Sequence, residues 1–244
     1  MEAYFQKVQA LLQTVRQTQG EAILEAASRC TEVILARKRL FFFGTGHSHM
    51  LAEEPFYRAG GLIPVVPILE PSLMLHEGAV KSTRMERLGG IAEILLDRHE
   101  AGAGDAIFII SNSGLNAVPV EMAIGAKRRG LTVVALTNIA QSQSSEPRHE
   151  SKQRLFELAD LVLDNCGPHG DAAISLEPYP IAVGPTSTVV GAFIINAIVV
   201  QIADNFRRLG EQPPLFMSAN VAGGDEHNKK WIEALREGGY RIPL

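Results

Sequence analysis

Short apolar runs that alternate with helical patterns, and end in glycine- and hydroxyl-rich turns, constrain this chain more than any other feature. Residues 40–43, 63–69, 105–110, 131–137 and 161–164 are each of strand length. The continuous, β-branched run Ala106-Ile107-Phe108-Ile109-Ile110 has the character of a strand covered on both faces. Between the runs, apolar residues recur at helical spacing. Strands alternating with helices predict a parallel sheet between two helical layers, and right-handed crossovers leave few doubly wound orders. The expected fold is α/β: a three-layer, doubly wound (flavodoxin-like) five-stranded parallel sheet with an N-terminal helical arm.

Helices are expected over residues 4–17 and 21–37 (the arm), 48–59, 84–100, from beyond 110 to 129, 187–208 and 226–236. Ser48 is the expected N-cap of the third, and Gly60-Gly61 its end. Pro119 must fall in the first turn of its helix. Pro64 and Pro67 predict an edge position for the second strand. The chain of 244 residues fits one domain with additions. These are a helical arm (1–38), the sheet domain (39–210), and a loop and helix (211–244) packing on the domain or on a neighbouring subunit.

A net charge of −4 without a long basic run argues against a nucleic-acid partner. Cys30 and Cys166 form no spacing motif, so free thiols in a reducing compartment are expected. Residues 1–19 contain no signal-peptide apolar core, and the apolar stretch 189–203 falls short of the ~20 residues a spanning helix needs. The expectation is a soluble, cytoplasmic protein without a membrane partner.

Two turns carry the chemistry. Ser111-Asn112-Ser113-Gly114-Leu115-Asn116 follows the central apolar run, and its hydroxyls, amides and the start of a helix can converge on one small anion. It holds no Lys or Arg, so neutral donors would do the binding, which suits a small phosphorylated metabolite. Gly44-Thr45-Gly46-His47-Ser48-His49 lacks the third glycine of a dinucleotide fingerprint, and no acidic residue ends the next strand at the right distance. No nicotinamide cofactor is expected; what remains is a tight turn exposing the N–H groups around Gly46 and His47 and the hydroxyls of Thr45 and Ser48. In a flavodoxin-like order both turns meet where the strand order reverses. Thr186, Ser187 and Thr188 open the long helix; capping accounts for one hydroxyl, and the others are candidates for holding a ligand. His47-x-His49, His169-x-Asp171 and Asp225-Glu226-His227 match no metal-ligand spacing, so no metal is expected.

A strand ending in Gly-x-Gly-x-Ser, a later strand ending in Ser-x-Ser-Gly, and Pro-Thr-Ser-Thr opening a long helix together resemble the sugar isomerase (SIS) domain. The likeness covers residues 40–208 and is similar to phosphoheptose isomerases and to the isomerase domain of arabinose-5-phosphate isomerases. The whole chain most closely resembles single SIS-domain proteins of the UPF0309 type. The resemblance implies a phosphorylated sugar as partner and assembly as a homodimer or homotetramer. By the family pattern Ser48, Ser111, Ser113 and Asn116 line the phosphate site, flanked by Asn112; Asn116 stands where many relatives have Thr. Beyond Gly210 no catalytic residue carries over from the phosphoheptose isomerases.

Aldose–ketose isomerisation through an enediol(ate) needs a base between adjacent carbons and a group to open the sugar ring. Glu70, at the end of the second strand, is the leading base, with His76-Glu77 as the alternative. His227 is the candidate ring-opening group, for its own or a neighbouring subunit's site; His169-Gly170-Asp171 is a second candidate segment. An ether-cleaving lyase and a non-catalytic phosphosugar sensor remain alternatives.

Overall fold

A computed structural model describes residues 1–239; the end of the expected 211–244 region lies outside the described residues. Two helices, α1 (Glu2–Thr18) and α2 (Gly20–Leu35), precede β1 (Leu40–Gly44), α3 (His49–Glu53) and β2 (Val65–Ile68). Then come α4 (Ala79–Met85), α5 (Ile91–Arg98), β3 (Ala106–Ile110), α6 (Ala117–Arg128) and β4 (Thr132–Thr137). Short α7 (Ile139–Gln143) and α8 (Leu155–Leu158) lead to β5 (Leu161–Asp164). A small antiparallel hairpin, β6 (Ala172–Ile174) with β7 (Val183–Pro185), precedes α9 (Ser187–Arg208) and α10 (Gly224–Glu237).

The main sheet is parallel, in the order β2-β1-β3-β4-β5. Strand β2 is at the edge, where the missing N–H of Pro67 is tolerated. The chain leaves β1 for β2 on one side and returns to β3 on the other. The strand order therefore reverses between β1 and β3.

Successive side chains of a strand point to opposite faces, and the central strands divide accordingly between two cores. Phe41, Phe43, Ile107, Ile109, Val133 and Ala135 face α5 and α6. Leu40, Phe42, Phe108, Val134 and Leu136 face α1, α2 and α9. The rings of Phe42 and Phe108 stack with centroids 4.4 Å apart. Burial of each such side chain contributes roughly 1.5–3 kcal/mol. These apolar cores hold the carboxyl ends of β1 and β3 in fixed register.

Three expectations are corrected. The helix expected over 48–59 is a single 3-10 turn (Gly46–Ser48) and the short α3; Pro55 lacks the N–H that a further turn requires, and Ser48 makes no capping bond. The helix expected over 84–100 is two, α4 and α5, parted at Gly89-Gly90, where Gly90 adopts φ 89°. Helix α9 runs 22 residues with a hydropathy of 1.7, long and apolar enough to span a membrane by length and composition, contrary to the estimate from 189–203. Its inner face, Val190, Ile194, Ile198, Ile202 and Phe206, is buried in the core beside α2, so it serves as a core helix here.

Candidate functional site

The site is built where β1 and β3 end. After β1 the chain folds back so tightly that a Cβ at Gly44 would lie 2.4 Å from the carbonyl oxygen of Ser48. The Ser48 N–H donates to the Thr45 carbonyl at 3.0 Å, His47 is exposed, and Gly46 opens the 3-10 turn. After β3 the Ser111 N–H donates to the Leu136 carbonyl, and the Ser111 hydroxyl accepts the Gly114 N–H at 3.1 Å. This turns the loop inward. Among the described residues, the N–H groups of Asn112, Ser113, Leu115 and Asn116 then donate to no protein acceptor. The Ser113 hydroxyl, half-buried, has no hydrogen-bond partner there either. Unpaired N–H groups at the start of a helix are the kind of donor set that binds anions.

Two residues without a sequence motif join the loops. The buried Thr45 hydroxyl donates to Glu86 Oε2 at 2.7 Å, and Asn116 Nδ2 donates to Glu86 Oε1 at 2.7 Å. Arg148 Nη1 donates to Asn116 Oδ1 at 2.7 Å. Glu86 thus bridges the ends of β1 and β3, and a cation reaches a loop that contains none. Glu86 lies in what reads as a helix and Arg148 in a polar connection, so only the fold reveals them.

An asparagine network supports the loop from below. Asn165 Nδ2 donates to Asn112 Oδ1 at 2.7 Å, and Asn138 Nδ2 donates to Asn165 Oδ1 at 3.1 Å and to the Gly167 carbonyl at 2.8 Å. Asn112 also donates to Gln141 Oε1. Asn138 and Asn165 are buried, so these bonds tie the carboxyl ends of β3, β4 and β5 in a low-dielectric setting.

At the start of α9 the hydroxyl-rich segment is occupied by its own chain. Asp171 Oδ1 accepts the N–H groups of Thr186 (2.9 Å) and Ser187 (2.7 Å), and Oδ2 accepts the Ser187 hydroxyl at 2.7 Å. The Thr186 hydroxyl donates to the Asp171 carbonyl at 3.3 Å. A carboxylate at a helix start satisfies orphan donors and the positive end of the dipole. Thr188 is half-buried, with no hydrogen bond from its hydroxyl among the described residues.

Among the described residues the remaining candidates make no hydrogen bond to either loop. Glu70 accepts the Ser72 N–H at 3.1 Å, capping a 3-10 turn, and stands 4.0 Å from Arg98; no hydrogen bond joins it to either loop. It follows the edge strand, one strand away from the reversal. His227 meets the Leu215 carbonyl at 3.0 Å on α10, which packs on Ile63 and Phe216 near the amino end of β2. Gly223 is the N-cap of α10, and Asp225 lies in its first turn. His76 is brought beside His49, ring centroids 6.5 Å apart, whereas Glu77 pairs with Lys81, whose hydrogen bond holds its carboxyl below the usual range. His169 meets the Ser144 hydroxyl at 3.2 Å. Among the described residues no three His, Cys, Asp or Glu side chains converge to hold a metal ion. A cavity of about 330 Å³ between Arg37, Lys38, Glu100 and Asp105 lies at the amino ends of the strands, opposite these loops.

Residues 3–138 match the SIS domain family. Over its full length the chain is 41% identical to a UPF0309 protein of Geobacillus thermodenitrificans, covering 97% of that protein. Among solved structures it is similar to phosphoheptose isomerase from Neisseria gonorrhoeae, with TM-score 0.59 and 16% identity over 83% of this chain and 96% of that one. It is also similar to the Vibrio vulnificus NanR protein complexed with ManNAc-6P, with TM-score 0.54 and 16% identity over 97% of this chain and 68% of that one.

Proposed function

Because this chain belongs to the SIS domain family, we propose that it binds a phosphorylated sugar at the carboxyl ends of β1 and β3 and isomerises it between aldose and ketose. One observation carries the binding half. The N–H groups of Asn112, Ser113, Leu115 and Asn116, with the Ser113 hydroxyl, form a donor set without protein acceptors, at the place where doubly wound sheets bind ligands. Ser111 shapes the loop, Asn112 anchors it to the asparagine network, and Gly46, His47 and Ser48 form the facing wall. Thr186, Ser187 and Thr188 bound the far side of the site, near the asparagine network.

In the isomerase half, Glu70 moves the carbon-bound proton. Its carboxylate accepts the Ser72 N–H at 3.1 Å and stands 4.0 Å from Arg98, contacts that orient it at the carboxyl end of β2. His227, near the amino end of the sheet in its own chain, opens the sugar ring of a second copy's site. The protein works in this reading as a soluble, cytoplasmic homodimer or homotetramer. A non-catalytic phosphosugar sensor is the second reading, favoured by the likeness to NanR in complex with ManNAc-6P; product formation separates the two.

The experiment is a thermal-shift screen of the full-length protein against a panel of sugar phosphates. A hit is expected that Ser113→Ala weakens, since a ligand that binds only the folded state stabilises it by RT ln(1 + L/Kd) at free ligand concentration L, an amount that shrinks as Kd rises. Stabilisation by no phosphosugar overturns the proposal. For the hit, Glu70→Gln is expected to keep affinity while abolishing exchange of a substrate C–H proton with solvent deuterium. Unchanged exchange removes Glu70 as the base.

A further inference from the structure

We infer that Glu86 is the resident anion of the phosphate site: a phosphorylated sugar binds by displacing its carboxylate from Thr45 and Asn116, and this exchange selects phosphorylated over uncharged sugars. The inference rests on the phosphosugar reading above.

The two donors that hold Glu86 belong to the two loops at the reversal of the sheet, each at 2.7 Å. Thr45 is 6% exposed and Asn116 5%, so neither has bulk water as a substitute partner. Bonds of this length to an ionised acceptor are in the charge-assisted class, roughly twice as strong as neutral ones. An incoming ligand must replace them with something equally anionic. A sugar hydroxyl does not, and a phosphate does.

The carboxylate is carried on a long side chain whose torsions can withdraw it while the backbone stays in place. Glu86 follows α4, between Gly78 (φ 127°) and Gly90 (φ 89°), conformations that glycine alone adopts freely. The backbone of Glu86 itself is held, its N–H donating to the Ser82 carbonyl at 3.0 Å and its carbonyl accepting the Val118 N–H at 3.1 Å, while the Gly90 N–H donates to Glu121 Oε2 at 2.7 Å; the exchange is therefore a movement of the side chain alone.

The cation of the cluster stays behind. Arg148 bonds Asn116 Oδ1 and not Glu86. When the carboxylate leaves, the guanidinium remains beside the vacated amide to meet its replacement. Were Glu86 to remain ionised in place, a phosphate on the Ser111 loop would face a like charge at close range and low dielectric, which costs more than in water.

Inorganic phosphate titrated calorimetrically into the full-length wild type and into Glu86→Gln, which keeps the shape and removes the charge, tests this. The variant is expected to bind phosphate at least about tenfold more tightly, a gain of about 1.4 kcal/mol. Equal or weaker binding by a folded variant overturns the inference and leaves the phosphosugar reading standing. Binding of phosphate by neither protein, together with a wild type unshifted by every sugar phosphate, removes both. If Glu86→Gln does not fold, a crystal structure of the wild type with saturating phosphate decides. Glu86 is expected beyond hydrogen-bond distance of Thr45 and Asn116, and a carboxylate still on both donors overturns the inference.

Discussion

Gly114 sits at φ 62° with its Cα against α8 and β4, and a Cβ there would lie 3.1 Å from Leu155 Cβ, 3.3 Å from Thr137 Oγ1 and 3.4 Å from Ser142 Oγ. The left-handed conformation and the crowding act together, because the same turn delivers the Gly114 N–H to Ser111. Gly114→Ala is expected to destabilise by about 1–3 kcal/mol and to weaken phosphosugar binding beyond its effect on folding. Thermal unfolding with and without ligand checks both. Burial pushes the Cys30 thiol from 9.0 up to about 12. The folded state therefore keeps this proton while the unfolded chain loses it, so its stabilising contribution is complete below pH 9 and declines as pH rises from 9 toward 12. Urea melts at pH 8, 9 and 10 are expected to show the wild type losing stability relative to Cys30→Ala by up to about 1.4 kcal/mol per unit above pH 9. A constant difference between the two proteins defeats that assignment.

At the scale of elements, the start of α9 depends on a residue outside it. The Asp171 carboxylate accepts both N–H groups and both hydroxyls of Thr186 and Ser187 from the turn before β6, at φ 69°. Asp171→Ala is expected to cost about 1–2 kcal/mol, the range of a lost helix cap. Asp171→Asn, whose side chain tolerates the left-handed region and keeps an acceptor, should recover part of it; chemical denaturation midpoints give both numbers. This contact also shows where the sequence stops being legible. Strands β1 to β5 and helices α1, α2, α6 and α9 follow from periodicity because each buries a continuous apolar face. The β6–β7 hairpin has three residues per strand, all half-buried or exposed, and leaves no such trace. The division of α4 from α5 turns on Gly89-Gly90, inside a run whose apolar spacing continues past it. In the site, Ser111 to Asn116 is readable because adjacent residues build one turn. Glu86 and Arg148 come from 30 and 32 residues away along the chain to meet Asn116, and no local pattern encodes that meeting.

For the whole molecule, the remaining question is what covers α9. Its inner face lies in the core, yet Val189 (40%), Phe193 (42%) and Val200 (69%) stay exposed on one outer stripe at spacings of four and seven residues. Exposed apolar side chains aligned on a helix mark an interaction surface more often than scattered ones do, and a second copy of the same helix offers a complementary stripe related by two-fold symmetry. This stripe is the contact expected of the proposed oligomer, which would bring a His227 that sits near the amino end of the sheet in its own chain to the site of a second copy. Light scattering after gel filtration is expected to give a dimer or tetramer for the wild type. Phe193→Glu with Val200→Glu should give a monomer with unchanged circular dichroism, because neither side chain belongs to the core. That monomer should keep phosphosugar binding, which uses loops of one chain, and lose turnover if His227 acts across the interface. A wild type that runs as a monomer sinks the assembly; a monomeric variant with full turnover confines the chemistry to one chain and removes His227 from it.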